Sequence, residues 1–343
     1  MARHTLQIYS LLMVTATFGC VPRPEKEVVV YCSTDREYAK PILDAFGRME
    51  GQATVSSQYD VESSKTLGLA NRLFQERAQT RCDVFWSGEV LHTIRLQKAG
   101  LLEHRNWRLP NDWPAGYAAS DGSWAGLGAR GRVLLVNREK LSDKKTWPKK
   151  VSELSDVRWK NRCGIAKPLY GTTATHMAVM ATQNAAESTD ASDFDIWIGA
   201  IKLNAVVLSG NKQVAQAVAT GELDWGLTDT DDAEIEIANG HPVTIVIPDQ
   251  GNGEVGMLVI PGTVAVLRKA PHPNAANALA NYLVSQKIES RLTMGNAAQF
   301  ALWPGSEKSI EASAKNVKLM KVDFEKAAEN WDALFKTLQT IFQ

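Results

Sequence analysis

The segment Gly226-Leu227-Thr228-Asp229-Thr230-Asp231-Asp232 puts three carboxylates within four residues at the end of a short apolar run. Like charges this close repel unless they are solvated, partly protonated, hydrogen-bonded or bound to a cation. Oxygen anions suit a hard cation, which makes Asp231 and Asp232 candidate metal ligands and Asp229 a candidate ligand contact. The plain reading is that Asp229 or Asp232 caps a helix beginning near Ala233.

Other polar residues of the same kind follow apolar runs. Ser33, Thr34 and Asp35 come after Val28 to Cys32; Tyr59, Asp60 and Glu62 after Ala53 to Ser57; Glu89 after Asp83 to Trp86. Hydroxyls and free N–H groups at a strand-to-helix turn can meet a ligand, and Asp35 can equally be a cap. Glu62 and Glu89 are candidate metal ligands if both face one cleft, and solvated surface if they do not. Thr172 and Thr173 open a helix carrying His176, and Asn211 ends the turn Ser209-Gly210-Asn211. The threonines and Asn211 suit an anion or another polar group at a helix start; His176, one turn in, reads as packing. Arg130 and Arg132 lie two apart in an extended stretch and so share one side of the chain.

These residues need a frame. Val28–Cys32, 53–57, 83–86, 163–166, 205–208 and 225–228 read as buried strands, each followed by a helix. Strands alternating with helices imply parallel sheets covered on both faces, an α/β architecture. Two extended stretches break the alternation: 124–137, and 256–268 with two strand-like halves around Pro261-Gly262. Both suit crossings between two lobes. Residues 27–127 plus 264–305 would form the N-terminal lobe and 128–263 plus 306–343 the C-terminal lobe, with helices at 275–283 and 288–294 and one last helix over 315–342.

Length and composition agree with such a protein. A chain of 343 residues suits two domains of ordinary size. Lys+Arg and Asp+Glu both number 38, so no bulk charge recommends nucleic acid or an anionic membrane as partner. Arg3 and His4, the apolar run Leu6 to Phe18, then Gly19-Cys20 read as a signal peptide over 1–20 with lipidation at Cys20; Thr17 and Phe18 depart from the usual lipoprotein pattern. Residues 21–26 form a proline-punctuated tether. Cys32, Cys82 and Cys163 are odd in number and lie in apolar stretches, so buried thiols are expected.

The stretches VVVYCSTDREYAKPILDAF, DVFWSGEVLHTIRLQKAGLL, WAGLGARGRVLLVN, SELSDVRWKNRCGIAKPLYGTTATH, VAQAVATGELDWGLTDTDDAEI and VAVLRKAPHPNAANALANYLVS resemble the substrate-binding proteins of bacterial ABC importers, in particular the branch of periplasmic ferric-iron-binding proteins. The resemblance implies a two-lobe periplasmic-binding-protein fold of type II, with a ligand cleft between lobes and two interlobe crossovers. It implies no enzymatic activity and no cofactor, Fe3+ as the transported ligand, a permease and an ATPase as partners, a monomer, and a periplasmic or cell-surface location with membrane contact only through the lipid anchor. By the same resemblance Arg130 would hold a co-bound anion and Tyr170 would supply a phenolate. Adjacent tyrosines are usual in that branch where this chain carries Asp231-Asp232, which leaves room for a different ligand: a phosphonate, a phosphate ester or another zwitterion. Two short motifs point elsewhere. GLGARG matches GxGxxG but precedes a strand instead of opening a helix, and Asp229-Thr230-Asp231 is formally the DxD of metal-dependent transferases.

Overall fold

The computed structural model describes residues 26–60, 66–187, 192–295 and 298–343. A first run holds β1 (Glu27–Cys32), α1 (Arg36–Gly47), β2 (Thr54–Tyr59), α2 (Leu67–Gln75), β3 (Val84–Ser87), α3 (Leu91–Lys98) and the long β4 (Trp124–Asn137). A second holds β5 (Cys163–Ala166), α4 (Gly171–Glu187), α5 (Ser192–Asn204), β6 (Val206–Leu208), α6 (Asn211–Ala219), β7 (Trp225–Asp229), α7 (Thr230–Ala238) and β8 (Val243–Val246). The chain returns through β9 (Val259–Val266), α8 (Pro273–Leu283) and α9 (Gln286–Met294), and ends in α10 (Ile310–Ala314), α11 (Phe324–Glu329) and α12 (Trp331–Phe342).

β1, β3, β5 and β7 are apolar almost throughout because both their faces are covered. β1 runs parallel between β2 and β3, and β5 runs parallel between β6 and β7. These two parallel groups are joined by β4 and β9. Through Gly131, β4 pairs antiparallel with β9, which itself pairs with β3. From Arg132 onward β4 pairs antiparallel with β7, and from Leu134 with β8 as well. GLGARG lies inside β4, so it is no dinucleotide turn.

β9 is continuous through Pro261-Gly262, where two halves were expected. A proline lacks the N–H that a ladder needs and is tolerated beside a bulge. Here Pro261 faces Ala129, just past the register shift in β4, and Ala129 exchanges its own backbone bonds with Phe300. The expected single helix over 315–342 is also broken. Met257 takes residues 318–320 as a backbone partner, and Asp323 then caps α11 by accepting from Lys326 N. α5 and β8 had no counterpart in the sequence reading; α5 exposes Ile196 and Leu203, which blurs its apolar stripe. Cys32, Cys82 and Cys163 are free, buried thiols, as expected.

Close packing shows where α6 lies on its sheet. Gly164 and Gly226 are register partners in β5 and β7, and a Cβ on Gly226 would sit 2.4 Å from Val214 Cγ1. Gly226→Ala therefore forces α6 off the sheet and is expected to cost about 1–3 kcal/mol, read as a lower urea midpoint. An unchanged midpoint would show that the α6 packing yields freely.

Candidate ligand site

Five strand ends deliver polar residues to one cavity. β1 brings Ser33 and Asp35, β3 brings Gly88 and Glu89, β5 brings Tyr170 and the start of α4, β6 brings Asn211 at the start of α6, and β7 brings the aspartates at the start of α7. Loops beyond the carboxyl ends of parallel strands are where open α/β sheets bind ligands. The cavity measures about 40 Å³, room for about three waters or an ion stripped of most of its hydration shell. Asp35, Asp231 and Asp232 also line a second, outer chamber of about 580 Å³.

Asp229 is the internal brace of this site. It stands at the N-cap of α7 but makes no side-chain cap, because both its oxygens are engaged across the fold. Arg132 Nη1 donates to Oδ1 at 2.6 Å, while Thr172 Oγ1 and Asn211 Nδ2 donate to Oδ2 at 2.6 and 2.9 Å. Burial pushes the Asp229 carboxyl up, but Arg132, Arg130 and the Thr172 hydroxyl outweigh it and hold the carboxyl below the usual range. Arg132 is fully buried and also donates to Thr172, Thr173 and His176 Nδ1. His176 thus packs as expected, and burial followed by the nearby Arg132 charge keeps its imidazole neutral. The network fixes the hydroxyls of Thr172 and Thr173 and the amide of Asn211 at the starts of α4 and α6, where helix N–H groups favour an anion.

Arg130 does a different job from Arg132. Its Nε lies 3.3 Å from Asp231 Oδ2, with both side chains mostly buried. Burial alone would lower its pKa; Asp231, Asp229, Asp35 and Asp232 reverse this and raise it, so the guanidinium stays charged. One oxygen each of Asp229, Asp231 and Asp232 fall within 4.8 Å of one another. An ion held at about 2.0–2.6 Å from each oxygen spans such a gap, so the cluster can coordinate a metal ion.

The remaining candidates divide. Ser33 lines the cavity, its Oγ accepting from Gly88 N at 2.9 Å and Thr66 Oγ1 at 3.0 Å. Asp35 lines it too and makes no capping bond to α1. Tyr170 lines it at the foot of α4. Glu89 lines it as well, but its carboxylate accepts from Leu91 N, from His92 N at 3.2 Å and from Thr175 Oγ1 at 2.7 Å, so it caps α3 and clamps it to α4. Tyr59 lines neither chamber: it packs beside a core cluster under the Arg36 guanidinium, 5.5 Å from the ring centroid. Glu62 lies outside the described residues, as do Cys20 and the segment before it. Thr66 and Lys167 line the cavity with no signal in the sequence. Thr66 holds φ at +68°, a strain of about 1–3 kcal/mol for a β-branched residue.

A buried carboxylate beside the bulge of β4 makes stability depend on pH. Glu289 of α9 accepts from Gly128 N at 2.9 Å, at the bulge of β4, and from Leu302 N. Burial outweighs these two bonds and pushes it up to about 7. A folded pKa raised above the unfolded value favours the folded state below about 4.5 and loses that contribution as pH rises through about 7. His92, lowered to about 3 by burial, acts oppositely between about pH 3 and 6.5, so the whole-protein profile does not isolate Glu289. The difference between Glu289→Gln and the parent does: the variant should gain relative stability from pH 5 to pH 8, by up to about 3 kcal/mol. A difference constant in pH, measured by urea unfolding, would refute this.

The fold has known counterparts. The Fe(3+)-binding periplasmic protein of Serratia marcescens is 24% identical over 306 residues, 87% of this chain and 86% of its own. The crystal structure of iron-bound HitA from Pseudomonas aeruginosa superposes with a TM-score of 0.75 at 22% identity, covering 92% of this chain and 99% of that one. The periplasmic binding protein AfuA from Actinobacillus pleuropneumoniae, with exogenous fructose-6-phosphate bound, gives 0.74 at 19% identity over 92% and 98%. These likenesses establish an α/β periplasmic-binding-protein fold. The family model described as bacterial extracellular solute-binding protein matches residues 28–293, and the chain belongs to that family.

Proposed function

We propose that this chain is the extracytoplasmic solute-binding component of an ABC importer, and that it captures ferric iron together with a small anion. The observation that carries this reading is the pair Asp231 and Asp232, which line the cavity from the first turn of α7 with an oxygen each within 4.8 Å of one another and of the braced Asp229. Asp231 and Asp232 are the principal ligands and Tyr170 supplies a phenolate. Asp229 braces them. Arg130, Thr172, Thr173 and Asn211 hold the anion, and Ser33 and Asp35 complete the wall. The curated relative's iron-binding name supports the same cargo.

Capture works by closure of two lobes, residues 27–127 plus 264–305 against 128–263 plus 306–343. The change of partner in β4, from β9 to β7 at Gly131/Arg132, supports a crossover there. A permease and an ATPase receive the cargo. The protein is periplasmic and tethered by lipid at Cys20, and it acts as a monomer without turnover. The DxD reading loses force because Asp229 is already committed to Arg132.

Ferric ion generated from a ferrous salt in bicarbonate buffer should give one iron per chain by metal analysis, with a visible phenolate-to-iron band that a chelator removes. A colourless, iron-free protein would overturn the proposal. One observation favours a second reading: the helix starts of α4 and α6 meet in the cavity, as a phosphate ester requires, and AfuA of the same fold carries a sugar phosphate. Stabilisation by fructose-6-phosphate without metal would decide for it.

A further inference from the structure

We propose that the pole built by residues 138–162 and the end of α5 is a docking surface for an anionic phospholipid bilayer. The ligand cavity lies at the carboxyl ends of β5, β6 and β7. Residues 138–162 join the opposite ends. They leave β4 beyond Val136, which pairs with Trp225 at the start of β7, and they enter β5 at Cys163. α5 ends at Asn204, just before β6, and so reaches the same pole. Asn204 fastens the two together: its Nδ2 donates to Leu154 O at 2.8 Å and to Asp156 O at 2.9 Å, and its carbonyl accepts from Asn161 N at 2.8 Å.

Two independent properties coincide there. The first is charge: in a chain whose totals balance, these 25 residues hold nine Lys and Arg against four Asp and Glu, and all nine cations are exposed. Arg158 pairs with Glu153 and Asp156, Arg162 with Asp224, and Lys150 with Glu254. The other six, Arg138, Lys140, Lys144, Lys145, Lys149 and Lys160, meet only two further acids of the segment, Glu139 and Asp143. Adding Glu222, which follows Gly221 beside Lys140, still leaves the cations in excess. The second property is apolar exposure. Of the six large apolar side chains exposed among the described residues, three belong here: Val157 and Leu203 at 77% and Ile196 at 67%. Ile196 and Leu203 stand seven apart in α5 and share one face. A groove of about 350 Å³, lined by Leu141, Thr146, Arg158, Trp159 and Arg162, brings the two halves of the basic segment together. An acidic protein or a soluble polyanion would be met by the cations alone. A bilayer interface takes both, its phosphates meeting the cations and its acyl boundary the apolar tips. A receptor docked by this pole points its cavity away from the bilayer.

The test uses the full chain carrying Cys20→Ser, which bars lipidation there, and two kinds of vesicle: phosphatidylcholine alone, and phosphatidylcholine with about 30% phosphatidylglycerol. The parent should bind the anionic vesicles at least about tenfold more tightly than the neutral ones at about 50 mM salt, and lose that preference at about 0.5 M. Lys145→Glu/Lys149→Glu/Lys160→Glu should abolish the preference. Val157→Ser/Leu203→Ser should weaken binding to the anionic vesicles at least about threefold. Both variants should unfold at the parent's temperature, since all five side chains are exposed. Equal affinity of the parent for both vesicles, or a charge variant that keeps the preference, overturns the proposal. Loss in the charge variant with none in the apolar variant overturns the bilayer as occupant and puts an acidic protein or polymer in its place.

Discussion

Asp231→Ala and Asp232→Ala each lower affinity for ferric ion at least about a hundredfold, a loss of roughly 2.8 kcal/mol at 1.4 kcal/mol per decade, while the chain still folds. The asymmetry follows from where the charges sit. Both aspartates lie in the first turn of α7, where the dipole contribution to stability is only about 0.3–1 kcal/mol. A trivalent ion in a small, mostly buried cavity meets each carboxylate at contact distance, so losing one ligand costs far more than losing the helix contribution. Asp231→Ala also removes the Arg130 partner at 3.3 Å, but Asp229, Asp35 and Asp232 still face that guanidinium. Calorimetry of both variants beside their thermal unfolding checks the claim. Unchanged affinity in both would move the ligand away from β7.

Arg132→Met has the opposite signature: the fold weakens before binding is even measured. Removing the guanidinium leaves Asp229 buried with no counter-ion at 2.6 Å, and breaking such a pair costs about 3–5 kcal/mol. The pH dependence identifies the cause. Asp229 is held below the usual carboxylate range in the parent, so its stabilising contribution is present above the unfolded pKa of about 4 and is lost as pH falls through the folded value. In Arg132→Met the same carboxyl is pushed up by burial instead, so the deficit should be largest near pH 7 and shrink toward pH 4. Adding Asp229→Asn should recover part of the loss at neutral pH, since a neutral amide can still receive Thr172. A deficit independent of pH, with no recovery in the double variant, would mean that Arg132 matters only as volume.

What the sequence made legible was the repeat of buried strand and helix, because a strand covered on both faces is apolar at every position. Cys163–Ala166 matches β5 residue for residue. The site was legible as a set of strand ends for the same reason, since Ser33, Asp35, Thr172, Asn211 and Asp231 each follow an apolar run. Division of labour within the site was not legible. Asp229 and Asp231 look alike in sequence, and what separates them is an arginine 97 positions away. Nothing near Glu89 in sequence shows that Thr175, 86 positions on, donates to its carboxylate. Nor does the sequence show that Tyr59, the last residue of β2, packs beside a core cluster beneath Arg36.

The change of partner along β4 has a mechanical meaning. Arg130 belongs to the stretch paired with β9 and Arg132 to the stretch paired with β7, with one residue between them. If the proposed closure rotates one strand group against the other, the junction between Arg130 and Arg132 is where the strand would have to twist, and Arg130, with its 3.3 Å approach to Asp231, would register that twist sooner than the buried, many-bonded Arg132.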